Sequence, residues 1–483
     1  MDLRDWIGQI KNLGKLKVIE GAHWDLEIGG ITEIMVKRKG SPTVLFDRIP
    51  GYLPGYRVLG NVIALASEDP VRLSLTLNLP RIESTSELIY VVKQEMQKWE
   101  ATAKDYPPEL VADGPVLEEI HSGEDVDVLK FPAPRWHEKD GGRYIGTGCG
   151  VITKDPDTGE VNVGTYRVMV HDRRTVGLYM APIRHGYSDI RKYHARGEAA
   201  PVAITLGHHP VFVLVAGQQI PRGIASAHEY AYIGAIQGRR LPVIKGEVTG
   251  LPIPAESEIV LEGWCRPGDE KVEGPFGEFT GYYGGGTEPA PCMVVERVYC
   301  RKDPIIIGCP PGKMCGFGTL VFRSAQWLHQ LEFLGIPGVK MVVAHPLARS
   351  QLVVACIEQR FAGHAREVGH IVAHLTKEVG RFVIVVDEDI DPFDFEDVTW
   401  AMATRCDPFE DIDTVRKAFS QRLDPLIPQG TPYERLYNNR AIIDACIPFE
   451  RRKTFAPVAS LSRELRGQII AKWGDKLGIP LGS

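Results

Sequence analysis

The sequence lacks several features that define large classes of proteins. Its nine cysteines include no C-x-x-C pair, and a disulfide framework is unusual in a chain of 483 residues. The N-terminal stretch lacks the basic segment, apolar stretch and small-residue cleavage site of a signal peptide. No apolar run approaches the roughly 18 residues that span a membrane. We therefore expect reduced thiols, a cytoplasmic location and no membrane association.

Positive charge is not in excess either. The chain has 56 Lys and Arg against 62 Asp and Glu, a formal net charge of −6. Proteins that bind nucleic acids usually carry a basic excess, so this balance predicts no nucleic-acid partner. It does not exclude a small anionic substrate, because a single local arginine can hold one.

Several catalytic motifs are also missing. The sequence has no G-x-G-x-x-G fingerprint of a dinucleotide-binding fold, and no nucleophile elbow or Ser-His-Asp signature. The stretch "GCPPGK" at 308–313 resembles a phosphate loop, but it is one residue short and Met314 replaces the Ser or Thr that would hold magnesium. His370 and His374 have a zinc-like i, i+4 spacing without the glutamate of H-E-x-x-H, so we interpret them as packing or surface histidines.

The residues that are present indicate a globular α/β (α+β) protein. Apolar residues make up 44% and charged residues 24% of the chain, and its length predicts two or three domains. The first part alternates a helix at 2–16, strands at 43–49 and 56–62, and helices at 69–79 and 86–104. A Pro-rich polar stretch at 106–134 is a candidate connector.

The central part, residues 144–299, contains short apolar runs separated by turn residues. Such runs predict strands of a barrel or sandwich; they include "VNVGTYRVMVHD" and "PVFVLVAG", interrupted by one helix at "AHEYAYIGAIQG". From residue 304 the α/β alternation returns, and the chain ends in an amphipathic helix. We place the domains at 1–120, 121–303 and 304–483.

Four segments carry candidate functional residues: "NVGTYR", "APIRHG", "SAHEYAYIGA" and "VEGPFGEFTGYYGGG". Each residue has an ordinary interpretation when it is taken alone. Asn162 suits a hairpin turn, His185 suits a loop, and Glu229 suits the first turn of a helix, where the dipole favours a carboxylate. Glu273 and Glu278 could be solvated loop charges, as most carboxylates are.

Together these segments resemble the UbiD family of reversible decarboxylases, which use prenylated flavin mononucleotide (prenylated FMN). The resemblance covers nearly the whole chain. It extends to "KDGGRYI", "GVITKDPDTG", "GCPP", "FAGHA" and "FVIVVDEDIDPFDFEDVTWAMATR". The combination of segments is specific, although no single segment is.

The resemblance implies functional residues at matching positions. Three match a catalytic triad: Arg167, Glu273 and Glu278. Three match the ligands of a Mn²⁺ (or Mg²⁺) ion that bridges the protein to the cofactor phosphate, with K⁺ beside it: Asn162, His185 and Glu229. The implied cofactor-binding set is Asn162, Thr165, Tyr166, Arg167, Arg184, His185 and Glu229. Carboxylate and amide oxygens with one imidazole suit Mn²⁺ or Mg²⁺ better than structural zinc.

The resemblance also implies a role for each triad residue. Glu273 pairs with Arg167 and holds its guanidinium against flavin and substrate carboxylate. Glu278 protonates the product carbon after CO₂ leaves a covalent adduct between substrate and cofactor. Gly274, Pro275 and Gly277 would form the turn that presents both carboxylates to one pocket, and a water-poor pocket would raise the pKa of Glu278.

The sequence also offers candidates for the residues that line the substrate pocket. Lys313 and Phe317 are candidate pocket residues, with Leu320 on the same wall, and Lys313 could pair with a polar or anionic substituent. The alternative is a surface lysine at the end of a loop. Arg440 is a candidate contact of the cofactor phosphate. Four aromatic residues near the triad could line the pocket or belong to the core: Phe276, Phe279, Tyr282 and Tyr283. The glycine run 284–286 suggests a mobile tip.

The fold and partners that the resemblance implies are equally specific. It implies an N-terminal α/β domain, a central split β-barrel that binds prenylated FMN and metal, and a C-terminal α/β domain. The last helix would pack on a neighbouring subunit of a homo-oligomer, a dimer or hexamer. A flavin prenyltransferase would supply the cofactor, and the substrate would be an aromatic, heteroaromatic or α,β-unsaturated carboxylic acid, with CO₂ as product.

Two other functions fit part of the pattern. A protein that stores flavin and metal without turnover would keep Asn162, His185 and Glu229 but would not need Glu273 and Glu278. A metal-dependent hydrolase would use the same three ligands to activate water and would bind no flavin.

Overall fold

The computed structural model describes residues 1–62, 68–218, 229–313, 316–345, 351–377 and 379–477. These residues form the helices α1 (Leu3–Asn12), α2 (Glu27–Val36), α3 (Pro70–Thr76), α4 (Thr85–Thr102), α5 (His185–Ala195), α6 (Val211–Ala216), α7 (Glu229–Gln237), α8 (Phe317–Phe333), α9 (His364–Leu375), α10 (Phe395–Arg405) and α11 (Arg463–Leu477). None of the helices in these ranges combines the length and apolarity that a membrane crossing requires.

The strands fall into groups that follow the chain. The N-terminal part contains β1 (Leu16–Glu20), β2 (Thr43–Asp47), β3 (Arg57–Gly60), β4 (Glu109–Leu110) and β5 (Glu119–Ser122). The central part contains β6 (Arg143–Gly146), β7 (Cys149–Lys154), β8 (Val161–Gly164), β9 (Arg167–Val170), β10 (Thr175–Tyr179), β11 (Ala200–Leu206), β12 (Pro242–Lys245), β13 (Pro252–Pro254), β14 (Ile259–Cys265), β15 (Glu270–Glu273) and β16 (Glu288–Cys300). The last group is β17 (Ile305–Ile307), β18 (Val339–Ala344), β19 (Leu352–Ile357), β20 (Phe382–Asp387), β21 (Ile412–Phe419) and β22 (Tyr437–Asp444).

The N-terminal part is an α/β layer, as the sequence predicts. Helix α1 begins in a capping box, in which the Asp2 carboxylate accepts from Asp5 N at 2.9 Å and the Asp5 carboxylate accepts from Asp2 N at 3.1 Å. The predicted helix 2–16 was too long, because Gly14 at φ +68° turns the chain into β1. The sheet order is β1-β2-β3-β17, so a strand beyond residue 303 completes the N-terminal sheet.

The central part is a ten-stranded sheet with the order β6-β9-β10-β16-β14-β11-β7-β8 and with β5 and β15 as additional neighbours of β16. The path ends at β6 and β8, so the described strands form an open barrel. The run "VNVGTYRVMVHD" is divided into β8 and β9 by Thr165 and Tyr166. This break places Arg167 at the start of β9, beside β6 and β10.

One strand prediction in this part was wrong. The run "PVFVLVAG" forms helix α6, in which every residue from Val211 to Ala216 is buried. A continuous apolar run has no period that separates a buried strand from a buried helix. His209 Nδ1 accepts from Val211 N at 3.3 Å and helps to start the helix.

The predicted connector 106–134 contributes strands of its own. Strand β4 pairs with β12 in a small sheet, and β5 pairs antiparallel with the last residues of β16. The connector therefore lies along the barrel wall.

The C-terminal part is a second α/β layer with the sheet order β18-β19-β20-β22-β21. Helices α8 and α9 pack on this layer, and α8 also packs against α4 of the N-terminal part. The polar strands β21 and β22 and the helices α2 and α5 were not predicted. All eight cysteines among the described residues are free thiols, as expected.

Candidate active site

The turn after β15 holds two glutamates in one place. Glu273 is the last residue of β15 and pairs in register with Glu288 of β16. Gly274 follows with φ +86°, and a Cβ at this position would lie 2.3 Å from Gly286 O, so only glycine fits. Glu278 is fixed four residues later, where its backbone N–H donates to Tyr282 O at 2.9 Å.

Arg167 joins the two glutamates. Its Nε and Nη2 donate to the two carboxylate oxygens of Glu273 at 2.7 and 2.6 Å, and its Nη1 donates to Glu278. The Glu273 side chain is fully buried, and those of Arg167 and Glu278 are 8% and 7% exposed. The bidentate pair fixes the guanidinium plane, and the third contact leaves Glu278 with the less constrained geometry.

The charges of this cluster are unequal, because one guanidinium faces two carboxylates. Burial raises the pKa of Glu278 to about 6; Arg167 opposes this rise and the charge of Glu273 adds to it. Burial alone would lower the pKa of Arg167, but the two carboxylates outweigh it and hold that pKa above its usual value. A carboxyl that titrates near neutral pH can both donate and accept a proton.

Aromatic rings enclose the guanidinium. The Arg167 Cζ lies 3.8 Å from the ring centroid of Tyr179 and 5.2 Å from that of Phe276. Phe276 is buried against Tyr144, with ring centroids 4.2 Å apart. These rings exclude water from the cluster and add cation–π contacts to Arg167.

The other aromatic candidates occupy different environments. Phe279 is partly buried against the core, and Tyr282 is 62% exposed. The Tyr283 hydroxyl accepts from Lys139 N at 3.2 Å. The glycine run after them packs against the C-terminal part, since a Cβ at Gly284 would lie 2.7 Å from Leu423 O.

The three metal-type side chains come from three elements around one cavity. Asn162 lies in β8, where its Nδ2 donates to Thr153 Oγ1 at 3.2 Å. Glu229 begins α7, and its Oε2 accepts from Val163 N at 3.2 Å, which ties the helix start to β8. His185 begins α5, directly after Arg184.

The cavity has a volume of about 840 Å³, which is within the usual range for a cofactor site. One wall consists of the barrel and its helices, and it includes all the predicted cofactor residues except Arg167: Asn162, Thr165, Tyr166, Arg184, His185 and Glu229. The Tyr166 hydroxyl accepts from Gly186 N at 3.3 Å and so joins the link between β8 and β9 to α5. Arg167 does not line the cavity but follows Tyr166, which does, so the triad arginine is next in the chain to the cavity wall.

The opposite wall belongs to the C-terminal part and is basic. It includes His374, Lys377, Arg416, Lys417 and Arg440. The Arg440 side chain is buried, with Nη1 donating to Ala373 O and, at 3.1 Å, to Thr376 Oγ1. Arg440 therefore holds the end of α9 against β22 while it lines the cavity.

The donor set of this cavity fits a phosphate-bearing cofactor with a hard metal ion. Amide oxygen, carboxylate and imidazole on one wall suit Mn²⁺ or Mg²⁺. Cationic side chains on the other wall suit a phosphate.

The predicted substrate residues lie elsewhere. Lys313 is exposed, and it packs against the triad turn, because a Cβ at Gly281 would lie 3.1 Å from Lys313 Cα. Phe317 and Leu320 are buried at the start of α8. None of the three lines the 840 Å³ cavity.

The stretch "GCPPGK" and the pair His370 and His374, which resemble phosphate and zinc motifs in the sequence, have structural contacts of their own. Gly308 of "GCPPGK" lies under Trp136, where a Cβ would come 2.1 Å from the indole ring. His370 Nε2 lies 3.0 Å from Asp413 Oδ2, and His374 Nδ1 contacts His370 O at 2.7 Å. His370 is thus held by a carboxylate, and only His374 reaches the cavity.

Sequence reasoning missed a second loop that supports the triad turn. The buried Asp140 carboxylate accepts from Gly277 N at 3.2 Å and from His137 N at 2.9 Å, and Gly141 N donates to Pro275 O at 2.8 Å. The pair Asp140-Gly141 in "KDGGRYI" was the available signal, but its partner is 137 residues away in the sequence.

Comparisons with known proteins agree with this architecture. Three family profiles cover most of the chain: the 3-octaprenyl-4-hydroxybenzoate carboxy-lyase N-terminal domain at residues 7–92, its Rift-related domain at 109–314 and its C-terminal domain at 319–445. The chain is 30% identical to the pyrrole-2-carboxylic acid decarboxylase of Pseudomonas aeruginosa, over 98% of each protein. It is 32% identical to a phenolic acid decarboxylase of a Streptomyces species, over 85% of this chain and 84% of that protein.

A solved structure shows the same fold. The UbiD-class enzyme HmfF from Pelotomaculum thermopropionicum, in complex with FMN, superposes with a TM-score of 0.81 at 28% identity, over 96% of this chain and 98% of that chain. An evolved dimeric form of HmfF in complex with prenylated FMN gives 0.77 at 28% identity, over 95% and 97%. The chain therefore belongs to the UbiD family of carboxy-lyases, with the three-domain fold and open central barrel of that family.

Proposed function

We propose that this protein is a prenylated-FMN-dependent decarboxylase that acts reversibly, without net oxidation, on an aromatic, heteroaromatic or α,β-unsaturated carboxylic acid. The observation that carries this proposal is the buried cluster of Arg167, Glu273 and Glu278 beside a cavity with metal-type ligands. A cluster with one more carboxylate than guanidinium group can hold an exchangeable proton away from water.

Arg167 is the group that receives the substrate carboxylate. Its Nε and Nη2 are already committed to Glu273, so the plane of the guanidinium does not need to be ordered by the substrate. The Nη1 contact with Glu278 weakens when Glu278 is protonated. A substrate carboxylate can then accept from Nη1, which couples substrate binding to the protonated state of Glu278.

Glu278 is the proton donor. As the bond between the carboxyl group and the substrate carbon breaks, CO₂ leaves and that carbon takes the proton from the Glu278 carboxyl. The resulting carboxylate returns to Arg167, and a proton from solvent restores the acid. The net change is one carboxylate and one proton converted into CO₂ and a new C–H bond, so the reverse sequence is carboxylation.

The cavity residues hold the cofactor. Asn162, His185 and Glu229 would bind a Mn²⁺ or Mg²⁺ ion together with the cofactor phosphate, and Lys377 and Arg440 line the wall that a phosphate would face. Prenylated FMN, when bound, supplies the electron sink that stabilises the substrate while CO₂ leaves. The protein orients the acid and excludes water.

The activities of two relatives support this substrate class. One acts on a heteroaromatic acid, pyrrole-2-carboxylic acid, and another on phenolic acids. Lys313 and Phe317 remain our candidates for the residues that select among such acids. A homo-oligomer, and a flavin prenyltransferase that supplies the cofactor, belong to the same proposal.

The decisive test is a cofactor measurement. The protein should be co-expressed with a flavin prenyltransferase, purified without oxygen, and characterised by its visible spectrum and by the mass of the released cofactor. We expect prenylated FMN and CO₂ release from at least one acid in a panel of pyrrole, furan, phenolic and cinnamic acids. Expression without the prenyltransferase is the control, and it should give protein without that activity.

The same experiment separates the rival functions. A protein that binds metal tightly but takes up no flavin would support a metal-dependent hydrolase, since Asn162, His185 and Glu229 could equally activate a water molecule. A protein that binds the cofactor but converts none of the acids would support storage.

A further inference from the structure

A second group of metal-type ligands lies where β5 joins the end of β16. Strand β5 pairs antiparallel with the end of β16, with Glu119 opposite Cys300 and His121 opposite Val298. Residues two apart on a strand face the same side. This register therefore brings one carboxylate, one imidazole and one thiol to a single face.

The ligand atoms are close to the spacing that a tetrahedral ion requires. Cys300 Sγ lies 3.8 Å from Glu119 Oε2 and 3.8 Å from His121 Nε2, and the last two atoms are 3.6 Å apart. Metal–ligand bonds of about 2.0–2.3 Å at tetrahedral angles separate ligand atoms by roughly 3.3–3.6 Å. Each separation here needs a shift of only a few tenths of an ångström.

No other group of three such ligand atoms among the described residues lies within 4.8 Å. The cluster is also far from the triad along the sheet. Cys300 ends β16, whereas Glu288, the partner of Glu273, begins it. Twelve residues of strand separate the two ends by roughly 40 Å.

A cationic side chain already contacts this cluster. Lys130 Nζ lies 2.5 Å from His121 Nε2, so the ammonium uses the nitrogen lone pair that a metal would use. The Lys130 side chain is long and partly exposed, and it can move away. An ion that binds here competes with this ammonium rather than with a packed core group.

We infer that Glu119, His121 and Cys300 form a binding site for Zn²⁺ or a similar borderline divalent cation. Thiolate and imidazole select such ions over Mg²⁺ and Ca²⁺. The fourth position would hold water. A bound ion would tie β5, and with it the stretch between the N-terminal part and the barrel, to the end of β16. The site does not depend on the proposed decarboxylase activity.

A spectroscopic test uses Co²⁺ as the probe. Full-length protein without a tag, with its thiols reduced, is titrated with Co²⁺, and the thiolate-to-cobalt charge-transfer absorption in the near ultraviolet is recorded. The Asn162, His185 and Glu229 set has no thiolate and cannot give this band. We expect the band in the wild type and in Glu229→Ala, its removal by Zn²⁺, and its loss in Cys300→Ser.

Cys292→Ser is the matched control, because Cys292 is also buried on β16, where its thiol donates to Ala290 O at 3.7 Å. It should keep the band. No band in the wild type, a band that persists in Cys300→Ser, or a band lost in Cys292→Ser would each overturn the site.

Two further variants keep the test valid if Cys300→Ser does not fold. His121→Ala removes a half-buried ligand and should require much more Co²⁺ to reach the same absorbance. Lys130→Met removes the competing ammonium and should require less Co²⁺ than the wild type. Unchanged titrations in both variants would show that these side chains do not surround the ion.

Discussion

Two buried clusters of arginine and glutamate in this protein have nearly the same geometry. In the triad, Arg167 forms a bidentate pair with Glu273. At the junction of α1 and the barrel, Arg4 donates from Nε and Nη2 to the two carboxylate oxygens of Glu258, at 2.9 Å each. Both glutamates have fully buried side chains.

The two clusters differ in the charges that act on the carboxyl group whose pKa is raised. Arg301 Nη1 lies 3.4 Å from Glu258 in addition to Arg4, and Arg301 also pairs with the Asp2 carboxylate at 2.8 Å. In the triad, one arginine faces two carboxylates. Burial raises the pKa of both Glu258 and Glu278, but the arginines around Glu258 oppose the rise, whereas Glu273 adds to it at Glu278.

This difference shows what separates a structural ion pair from a candidate catalytic one. Bidentate geometry and a fully buried glutamate are common to both clusters, so neither identifies a function. In the triad, Glu273 lies beside Glu278 and helps to raise its pKa, which supports our proposal that Glu278 exchanges a proton near neutral pH. We propose that a substrate bound next to the triad accepts that proton.

The sharpest test of this comparison removes one carboxylate from each cluster. Glu278→Gln should lower kcat by about 10²- to 10⁴-fold, the usual contribution of a general acid, while flavin content and thermal stability stay close to wild type. Glu258→Gln should do the opposite. We expect normal kcat per folded molecule and a loss of unfolding free energy on the order of 2 kcal/mol, below the usual cost of a fully buried pair because Arg4 is one-third exposed.

The measurements are steady-state CO₂ release, the flavin spectrum and thermal unfolding on both variants. An active Glu278→Gln would remove the proton donor. An inactive but stable Glu258→Gln would show that the charges around the carboxyl group do not separate the clusters.

The cofactor wall can be tested in the same way. Glu229→Ala should weaken Mn²⁺ binding by at least about 10- to 100-fold, the range found when even an outer partner of a metal ligand is lost, and most flavin should be lost with the metal. Glu367 lies in the first turn of α9 and is exposed, so Glu367→Ala is the control for removing a first-turn glutamate. Metal and flavin analysis by mass spectrometry provides the readout, and retention of both in Glu229→Ala would move the metal site.

The raised pKa of Glu278 also predicts a pH dependence. A pKa raised to about 6 means that Glu278 is mostly protonated below pH 6 and loses its proton as the pH rises. If the protonated form donates, kcat/KM should fall about tenfold per pH unit above that pKa. The profile of kcat/KM between pH 5 and pH 8 measures this, and the residual rate of Glu278→Gln should show no such limb. A rate that rises towards pH 8 would contradict the assignment.

Many barrel strands and the segments of the candidate site could be predicted from the sequence. The strands with clear turns at both ends were predicted, and so were the segments that supply Asn162, Arg167, His185, Glu229, Glu273 and Glu278. These residues were identified because their motifs resemble a family, since each alone has an ordinary interpretation.

Other features could not be read in this way. Periodicity could not identify α6, because all its residues are buried. Strand β21 is mostly exposed, and β22 begins with the polar run from Asn438 to Arg440 before its buried Ile442 and Ile443, so neither has a clear strand pattern. The support that Asp140 gives to the triad turn depends on a contact across 137 residues, and local patterns carry no information on such contacts.

Asp140 allows a finer test of the triad. Asp140→Asn keeps the shape of the side chain but removes a negative charge that helps to raise the pKa of Glu278. The fall in kcat/KM with rising pH should therefore begin at a lower pH. We also expect kcat to fall by about tenfold, with little change in KM, because the turn loses part of its support. Asp172→Asn is the control, because Asp172 is about half exposed and pairs with Lys271 of β15. A loss of kcat without a shift in the pH at which kcat/KM falls would mean that Asp140 supports the fold only.

The smallest effect is expected at the edge of the site. Lys313 is exposed but packs against Gly281 in the triad turn, which is why we propose it as a contact of a polar substituent of the substrate. Lys313→Met should leave flavin content and the pH profile unchanged. It should lower kcat/KM for acids with an anionic or hydroxyl substituent by about two- to fivefold relative to unsubstituted acids, because an exposed ion pair contributes up to about 1 kcal/mol. Lys302→Met, a second lysine at the other end of the same β17 region, is the control. Equal changes for all acids would place Lys313 outside the substrate site, and selectivity would then have to come from the cavity walls.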